Sequence, residues 1–227
     1  MTVFDTTKIQ DYEWAKKHLM IRAALTAENK DKLSKVVHME LYDMSVFYSI
    51  VITDDNSNHA SFVLVNDSLL NRWGITVEQL WDDAQKYAPM NFPVKIQSMK
   101  EMFAELMRKE GMLVDEDLYS ALFTDGLYVA TCHSSCGAGC MFYPEFMDQA
   151  AEKMRGDFYV IPSSIHEVLL LPDGGFTAKE LDAMVRTVNA NEIEPKERLS
   201  EYVYHYEVSS ETIERATEWD ERKGIKR

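Results

Sequence analysis

Three capping boxes constrain this chain more than any other feature: Thr76 with Gln79, Ser98 with Glu101 and Thr177 with Glu180, each followed by an apolar stripe. The hydroxyl accepts from the third helical N–H while the Glu or Gln side chain reaches back to the hydroxyl residue's own N–H, so each box marks a helix start. Between them lie runs dense in β-branched, aromatic and aliphatic residues: Val46–Ile52, Ser61–Val65, Phe158–Ile161, Val168–Leu171 and Tyr202–Tyr206. These read as strands. A chain that switches so regularly between the two apolar periods specifies an α+β fold.

The remaining elements follow from local signals. Lys8–His18 carries Ile9, Tyr12 and Trp14 at helical spacing, and Leu19–Leu25 with the charged segment Glu28–Lys35 continues at moderate helix propensity. Met39–Thr53 and Ser61–Val65, joined by the polar turn Asp54–Asn58, predict a hairpin. Asn66 and Asp67 cap a short helix that Gly74 stops, and the helix begun at Thr76 is expected to end at Pro89. Met99, Met102, Phe103, Leu106 and Met107 form a stripe opposite Lys100, Glu101, Glu105, Arg108 and Lys109. Core packing is the stronger reading of that stripe, over an adaptable methionine-lined binding groove. Leu127–Thr131 and Gly139–Tyr143 read as strands flanking a cysteine-rich turn. Pro144 opens a helix with Phe146, Met147, Ala150, Ala151 and Met154 on one face and Gly156 as its stop.

The organisation this predicts is an N-terminal α+β half over 1–126, made of a hairpin plus helices. A C-terminal half over 127–208 runs β-β-α-β-β-α-β, with a mostly antiparallel sheet and helices on one face. The two halves are expected to form one compact unit. Residues 209–227 read as a terminal helix or tail, docked through Trp219.

Several of these segments together resemble a known family. They are Trp73–Thr76, Leu80–Ala84, Cys140–Pro144, Phe158–Val168, Met184–Asn189 and Leu199–Tyr204, with Leu41–Val46 similar to an earlier strand. In order and spacing they are similar to the domain-of-unknown-function family numbered 5688, over roughly residues 19–208. The resemblance implies an origin in anaerobic gut bacteria, in mobile-element-rich settings, and no established activity. It also implies that thiols at Cys132 and Cys136 depart from the family pattern, so metal chemistry there would be peculiar to this chain.

The best chemical candidate is Pro162-Ser163-Ser164-Ile165-His166-Glu167. Ser163, Ser164, His166 and Glu167 supply the inventory of nucleophilic catalysis, in which a histidine activates a hydroxyl and a carboxylate orients the histidine. The arrangement argues against it. Adjacent His166 and Glu167 point to opposite faces of an extended chain, and no glycine pattern of a nucleophile elbow surrounds the serines. The stronger reading is a strand connection in which Pro162 sets the turn and the serines bond local backbone.

All three cysteines fall within nine residues, as Cys132, Cys136 and Cys140, with His133 beside the first. These four are candidate metal ligands, yet their spacing lacks the distant second pair of structural zinc sites and misses the usual iron–sulfur runs. The expectation is no metal, no cofactor, and free thiols in a reducing compartment. Pro172–Gly175 is a turn signal without a phosphate-binding lysine, and His18, His38, His59 and His205 are scattered.

Charge supplies the last constraint. With 24 Lys and Arg against 38 Asp and Glu the chain carries −14, spread over residues 39–227, while residues 1–38 are slightly basic. That balance opposes direct binding of nucleic acid, which needs clustered cations. No apolar run approaches the ~20 residues of a membrane span, and Met1–Asp5 has no basic start of a secretory signal, so a cytoplasmic protein is expected. The favoured function is a non-catalytic binding, regulatory or inhibitor-type protein whose partner is another protein, one with a basic surface being the complementary chemistry. The rival readings are a hydrolase using Ser163–Glu167 and an acidic nucleic-acid mimic that blocks a host defence enzyme.

Overall fold

The computed structural model describes residues 6–53, 60–111, 126–133 and 135–224. The signal reading at Met1–Asp5 and the polar turn at 54–58 lie outside them. The α+β class holds, with helices and two antiparallel sheets.

The chain starts in short helical turns, Thr6–Gln10, α1 (Tyr12–Ala15) and Lys16–His18. Leu19–Leu25 then departs from the helical expectation and forms strand β1. Six of its seven residues are buried. A strand covered on both faces has no alternation to betray it, which is why periodicity misreads it. After α2 (Lys30–Leu33) come β2 (His38–Leu41), β3 (Met44–Thr53) and β4 (Ala60–Leu64). The long β3 is the spine: Leu19↔Ile50 to Leu25↔Met44 pair along one edge, while β2 and β4 share the other, end to end. The expected hairpin is the β3–β4 pair.

Helices α3 (Asp67–Trp73) and α4 (Val77–Asn91) begin at Asn66 and Thr76, whose side chains accept from Leu69 N and Gln79 N. Gly74 takes the left-handed conformation at φ 68° that stops α3. Pro89 does not end α4. It sits in the last turn, and Phe92 N closes the helix on Ala88 O. Strand β5 (Lys95–Ser98) leads into α5 (Met99–Lys109), where both bonds of the Ser98–Glu101 capping box form. The methionine stripe of α5 is not core, however: none of its residues is buried and Leu106 is 53% exposed. This helix lies at the rim of a sheet, beside the end strand β5 and its neighbour β6 (Tyr128–Thr131).

The second sheet runs β10-β9-β7-β8-β6-β5, antiparallel throughout. Its strands are β5, β6 (Tyr128–Thr131), β7 (Phe158–Ile161), β8 (Val168–Pro172), β9 (Tyr204–Glu207) and β10 (Thr212–Arg215). Gly139–Tyr143 is not a strand. The 3-10 turn Gly137–Phe142 takes its place, because both edges of β6 are already paired, to β5 and β8. Arg155 (φ 60°), ahead of Gly156, takes the left-handed position after α6 (Phe146–Met154). The tail folds back as β10 and α8 (Ala216–Lys223), with Trp219 buried as expected.

The helices do not share one face. Phe158, Val160, Val168 and Leu170 pack with Phe146 and Ala150 of α6 in the large central cluster. Tyr159, Ile161 and Leu171 pack instead with Leu181 and Val185 of α7 (Ala178–Asn191) and Ala216 of α8. Strands with apolar residues at every position need cover on both sides. The runs Phe158-Tyr159-Val160-Ile161 and Val168-Leu169-Leu170-Leu171 have that character.

Contacts at several points join the sheets. The Asp43 carboxylate, in the β2–β3 turn, accepts from Ser200 Oγ (2.8 Å), Glu201 N (2.8 Å) and Tyr204 Oη (2.9 Å). The 137–142 turn presses on the edge of β1 so closely that a Cβ at Gly139 would lie 1.9 Å from Ile21 O. Gly139→Ala should therefore cost about 3 kcal/mol by displacing backbone, read as a lowered urea midpoint at unchanged slope.

A buried histidine adds a pH dependence. His205 is fully buried in β9, stacked on Trp219 at 3.7 Å. Burial lowers its pKa, against the opposing pull of Asp173, Asp157, Glu207 and Asp220. The unfolded chain therefore takes up the proton first as pH falls, and stability present above about 6.5 is lost below it. The urea midpoint should drop between about pH 7 and pH 5, and His205→Phe, which keeps a ring on Trp219, should flatten that drop.

Candidate functional site

The two segments that carry chemistry in the sequence meet in space, but through their backbones. Thr131 at the end of β6 donates its hydroxyl to His166 O at 2.8 Å and to His133 O at 3.1 Å. Ala138 N bonds Ile165 O at 3.2 Å. A Cβ on Gly137 would fall 1.9 Å from Thr131 Oγ1 and 2.9 Å from His166 O, so only glycine admits this approach. The cysteine turn and the 162–167 connection are thus stitched together, with their side chains diverging.

In the 162–167 connection Glu167 Oε1 accepts from both serines, Ser163 Oγ at 3.3 Å and Ser164 Oγ at 3.0 Å. The Ser164 hydroxyl in turn accepts from His166 N at 3.1 Å. These are the bonds of a turn closed on itself. The His166 ring is aimed elsewhere: its Nε2 lies 3.8 Å from Glu197 Oε2, and its Nδ1 is buried without a hydrogen-bond partner. No hydrogen bond joins the His166 ring to either serine hydroxyl, so the relay from hydroxyl to imidazole to carboxylate is not assembled.

In the cysteine turn the four candidate ligands separate into three environments. Cys136 Sγ is buried and accepts from the Arg22 guanidinium. Burial raises its pKa, although Arg22 and Lys32 pull the other way. The His133 ring packs edge-on against Phe62 and Phe92, its Nδ1 accepting from Ser135 N at 3.1 Å. Burial lowers the pKa of this histidine, and Arg22 adds to the effect. Cys132 and Cys140 alone meet, thiol to thiol. Among the described residues no grouping of three His, Cys, Asp or Glu suits a metal ion.

The Cys132–Cys140 pair is chemically asymmetric. Cys140 is fully buried, and burial pushes its thiol well up. Cys132 is partly accessible and accepts from the Cys140 thiol, from Tyr143 Oη at 3.3 Å and from backbone N–H groups at 132 and 140; these donors hold its thiol below the ordinary range despite burial. While protonated it donates to Gly137 O at 3.4 Å. Tyr143 went unnoticed in the sequence. It closes the 3-10 turn on Cys140 O, which carries its hydroxyl to the Cys132 sulfur.

A second feature lies on the far side of the sheet. Ile161, Leu169, Leu171, Phe176, Met184 and Val188 are among the residues lining an apolar groove of about 260 Å³ between α7 and the strands, which Ser163 also lines. Phe176, Met184 and Val188 are 39%, 54% and 45% exposed.

Comparison with known proteins places the chain. The model of the family of unknown function DUF5688 matches residues 1–208. The chain belongs to that family. The match reaches further toward the N-terminus than the motifs over 19–208 and takes in the helical turns ahead of β1. No curated protein and no solved structure matches it. No described helix is long and apolar enough to cross a membrane.

The bonding of the serine turn yields a test. Glu167→Ala removes the acceptor of two hydroxyls, of buried Ser164 and half-buried Ser163, and should cost about 1–2 kcal/mol. His166→Ala removes a buried nitrogen that has no partner and should stay within about 0.5 kcal/mol of the parent. Urea unfolding of the two variants measures both.

Proposed function

We propose that this DUF5688 member is a cytoplasmic, non-catalytic binding or regulatory protein of inhibitor type, with residues 1–126 and 127–208 acting as one unit. The apolar groove between α7 and the second sheet is its recognition surface. The observation that carries the reading is the exposure of Phe176, Met184 and Val188 on one continuous apolar floor. A contiguous exposed patch of this kind marks interaction rather than packing.

The partner is a protein, and its chemistry follows from the groove. Residues 167–201 supply most of the walls and carry eight Asp and Glu against four Lys and Arg. A complementary segment offers two or three aliphatic or aromatic side chains for the floor, flanked by Lys or Arg. The net charge of −14 favours the same kind of partner and opposes nucleic acid. The three free thiols suit the reducing compartment assigned here. The hydrolase reading loses support because both serine hydroxyls are spent on Glu167 and His166 faces Glu197.

The experiment starts by identifying a partner among the products of neighbouring genes, then measures direct binding with both proteins purified. Met184→Asp and Val188→Asp place charges on exposed positions that the fold tolerates. Each should weaken binding by about tenfold or more, and affinity should fall with salt. Unchanged affinity in both variants would overturn the groove as the binding surface. Ester or phosphodiester turnover lost in Ser164→Ala and His166→Ala would overturn the non-catalytic reading.

A further inference from the structure

The Cys132–Cys140 pair lies on the opposite face of the second sheet from the recognition groove, and its chemistry does not depend on that groove. Three observations set it apart from incidental core thiols. First, the two sulfurs are in hydrogen-bonding contact, whereas Cys136, four residues from each, is committed to Arg22. Second, the Cys132 sulfur sits in a cradle of donors, the Cys140 thiol, the Tyr143 hydroxyl and two backbone N–H groups, all suited to an anion. Third, Cys132 is partly exposed and lines an open groove of about 690 Å³ that runs beside α5 past Phe92, Met102 and Leu106, while Cys140 is fully buried.

The absence of a base from this cradle decides the class of reaction. His133 is the nearest imidazole in sequence, but its ring is wedged against Phe62 and Phe92 and its Nδ1 is occupied. Among the described residues, the side chains bonded to the Cys132 sulfur are those of Tyr143 and Cys140, and neither is a base that takes a proton from a water releasing an acyl group. A second thiol is placed in contact instead. An accessible thiolate with a resolving thiol against it is the constellation of redox-responsive cysteines.

We infer that Cys132 and Cys140 form a peroxide-responsive dithiol, with Cys132 as the attacking sulfur and Cys140 as the resolving one. The Cys132 thiolate, its proton already lost to solvent, attacks the terminal oxygen of a hydroperoxide and breaks the O–O bond. Cys132 becomes a sulfenic acid, and the leaving alkoxide or hydroxide takes a proton from water. Cys140 sulfur then attacks Cys132 sulfur, the S–O bond breaks, and the Cys140 proton leaves with the departing hydroxide as water. The two thiols are oxidised by two electrons, and the hydroperoxide is reduced to an alcohol or to water. Tyr143 is a positioning residue that stabilises the thiolate through its hydroxyl.

The test uses the full chain and hydrogen peroxide at near-stoichiometric dose, with alkylation of remaining thiols and peptide mapping by mass spectrometry. Two of the three thiols should disappear, with Cys132 linked to Cys140 and Cys136 still alkylated. Cys140→Ser should stop at a sulfenic acid on Cys132, trapped by a cyclic diketone; Cys140→Ala serves if the serine variant does not fold. Tyr143→Phe should raise the midpoint of the pH profile for Cys132 alkylation and slow the peroxide reaction by about threefold to tenfold. A merely structural Tyr143 would leave that midpoint in place. Three results would overturn the inference: oxidation of Cys132 no faster than free cysteine, a linkage through Cys136 or between chains, or a Cys132→Ser variant that still loses two thiols.

Discussion

The close approach of the 137–142 turn to the edge of β1 is the contact on which the rest of the arrangement depends. An edge strand leaves N–H and C=O groups unpaired and needs cover. Here the cover is a backbone with no side chain at the point of contact, since Gly139 meets Ile21, while Gly137 fixes the same turn against Thr131 and His166. Because the turn is pinned at both glycines, Cys140 is held in the core and the Tyr143 hydroxyl is held at the Cys132 sulfur. Asp43 adds a polar clasp from the first sheet to Ser200, Glu201 and Tyr204. One constraint thus sets the packing of the two sheets and the geometry of the thiols.

What was legible in the sequence were the features that act locally. The caps at Asn66, Thr76, Ser98 and Thr177 form, because a cap needs only its own turn; the reciprocal bond of the full box forms at Ser98 and Thr177, whereas at Thr76 the hydroxyl bond to Gln79 N stands alone. The β7 and β8 runs pair as expected. What escaped was whatever depends on distant partners. Leu19–Leu25 is a strand because β3 and the 137–142 turn flank it, and Gly139–Tyr143 is not one because β6 has no free edge. Met99–Met107 has the stripe of a core helix, yet α5 lies at a sheet rim that leaves Leu106 open. In the candidate site the residues were named but their partners were not. Ser163, Ser164 and Glu167 bond one another, while His166 turns to Glu197, a residue thirty-one positions on that no local pattern connects to it.

The second sheet is covered on both sides, and this bears on where function can sit. The α6 side is continuous with the central cluster. The other side is covered by α7 and α8, whose smaller cluster leaves a gap beside Phe176, Met184 and Val188. Leu181 and Val185 anchor α7 with one stripe, and Met184 and Val188, each three residues further along the helix, are left over. A helix with an apolar stripe wider than its seat presents the excess to solvent or to a partner.

The 163–167 connection touches both surfaces. Ser163 lines the recognition groove, while Ile165 O and His166 O receive Ala138 N and Thr131 Oγ1 from the cysteine turn. Contact alone does not transmit anything; coupling requires an element with two arrangements that both sites bias. A dithiol that closes to a disulfide is such an element, because bonding Cys132 to Cys140 removes the thiol–thiol and thiol–tyrosine hydrogen bonds that now fix the turn. Any rearrangement of the turn meets the glycine contacts on one side and the 163–167 connection on the other. The Gly139 contact with Ile21 is backbone against backbone and has no room to yield. The connection is held by side-chain hydroxyls and a carboxylate that can exchange partners with water, so it is the direction in which strain from the thiol pair would relax.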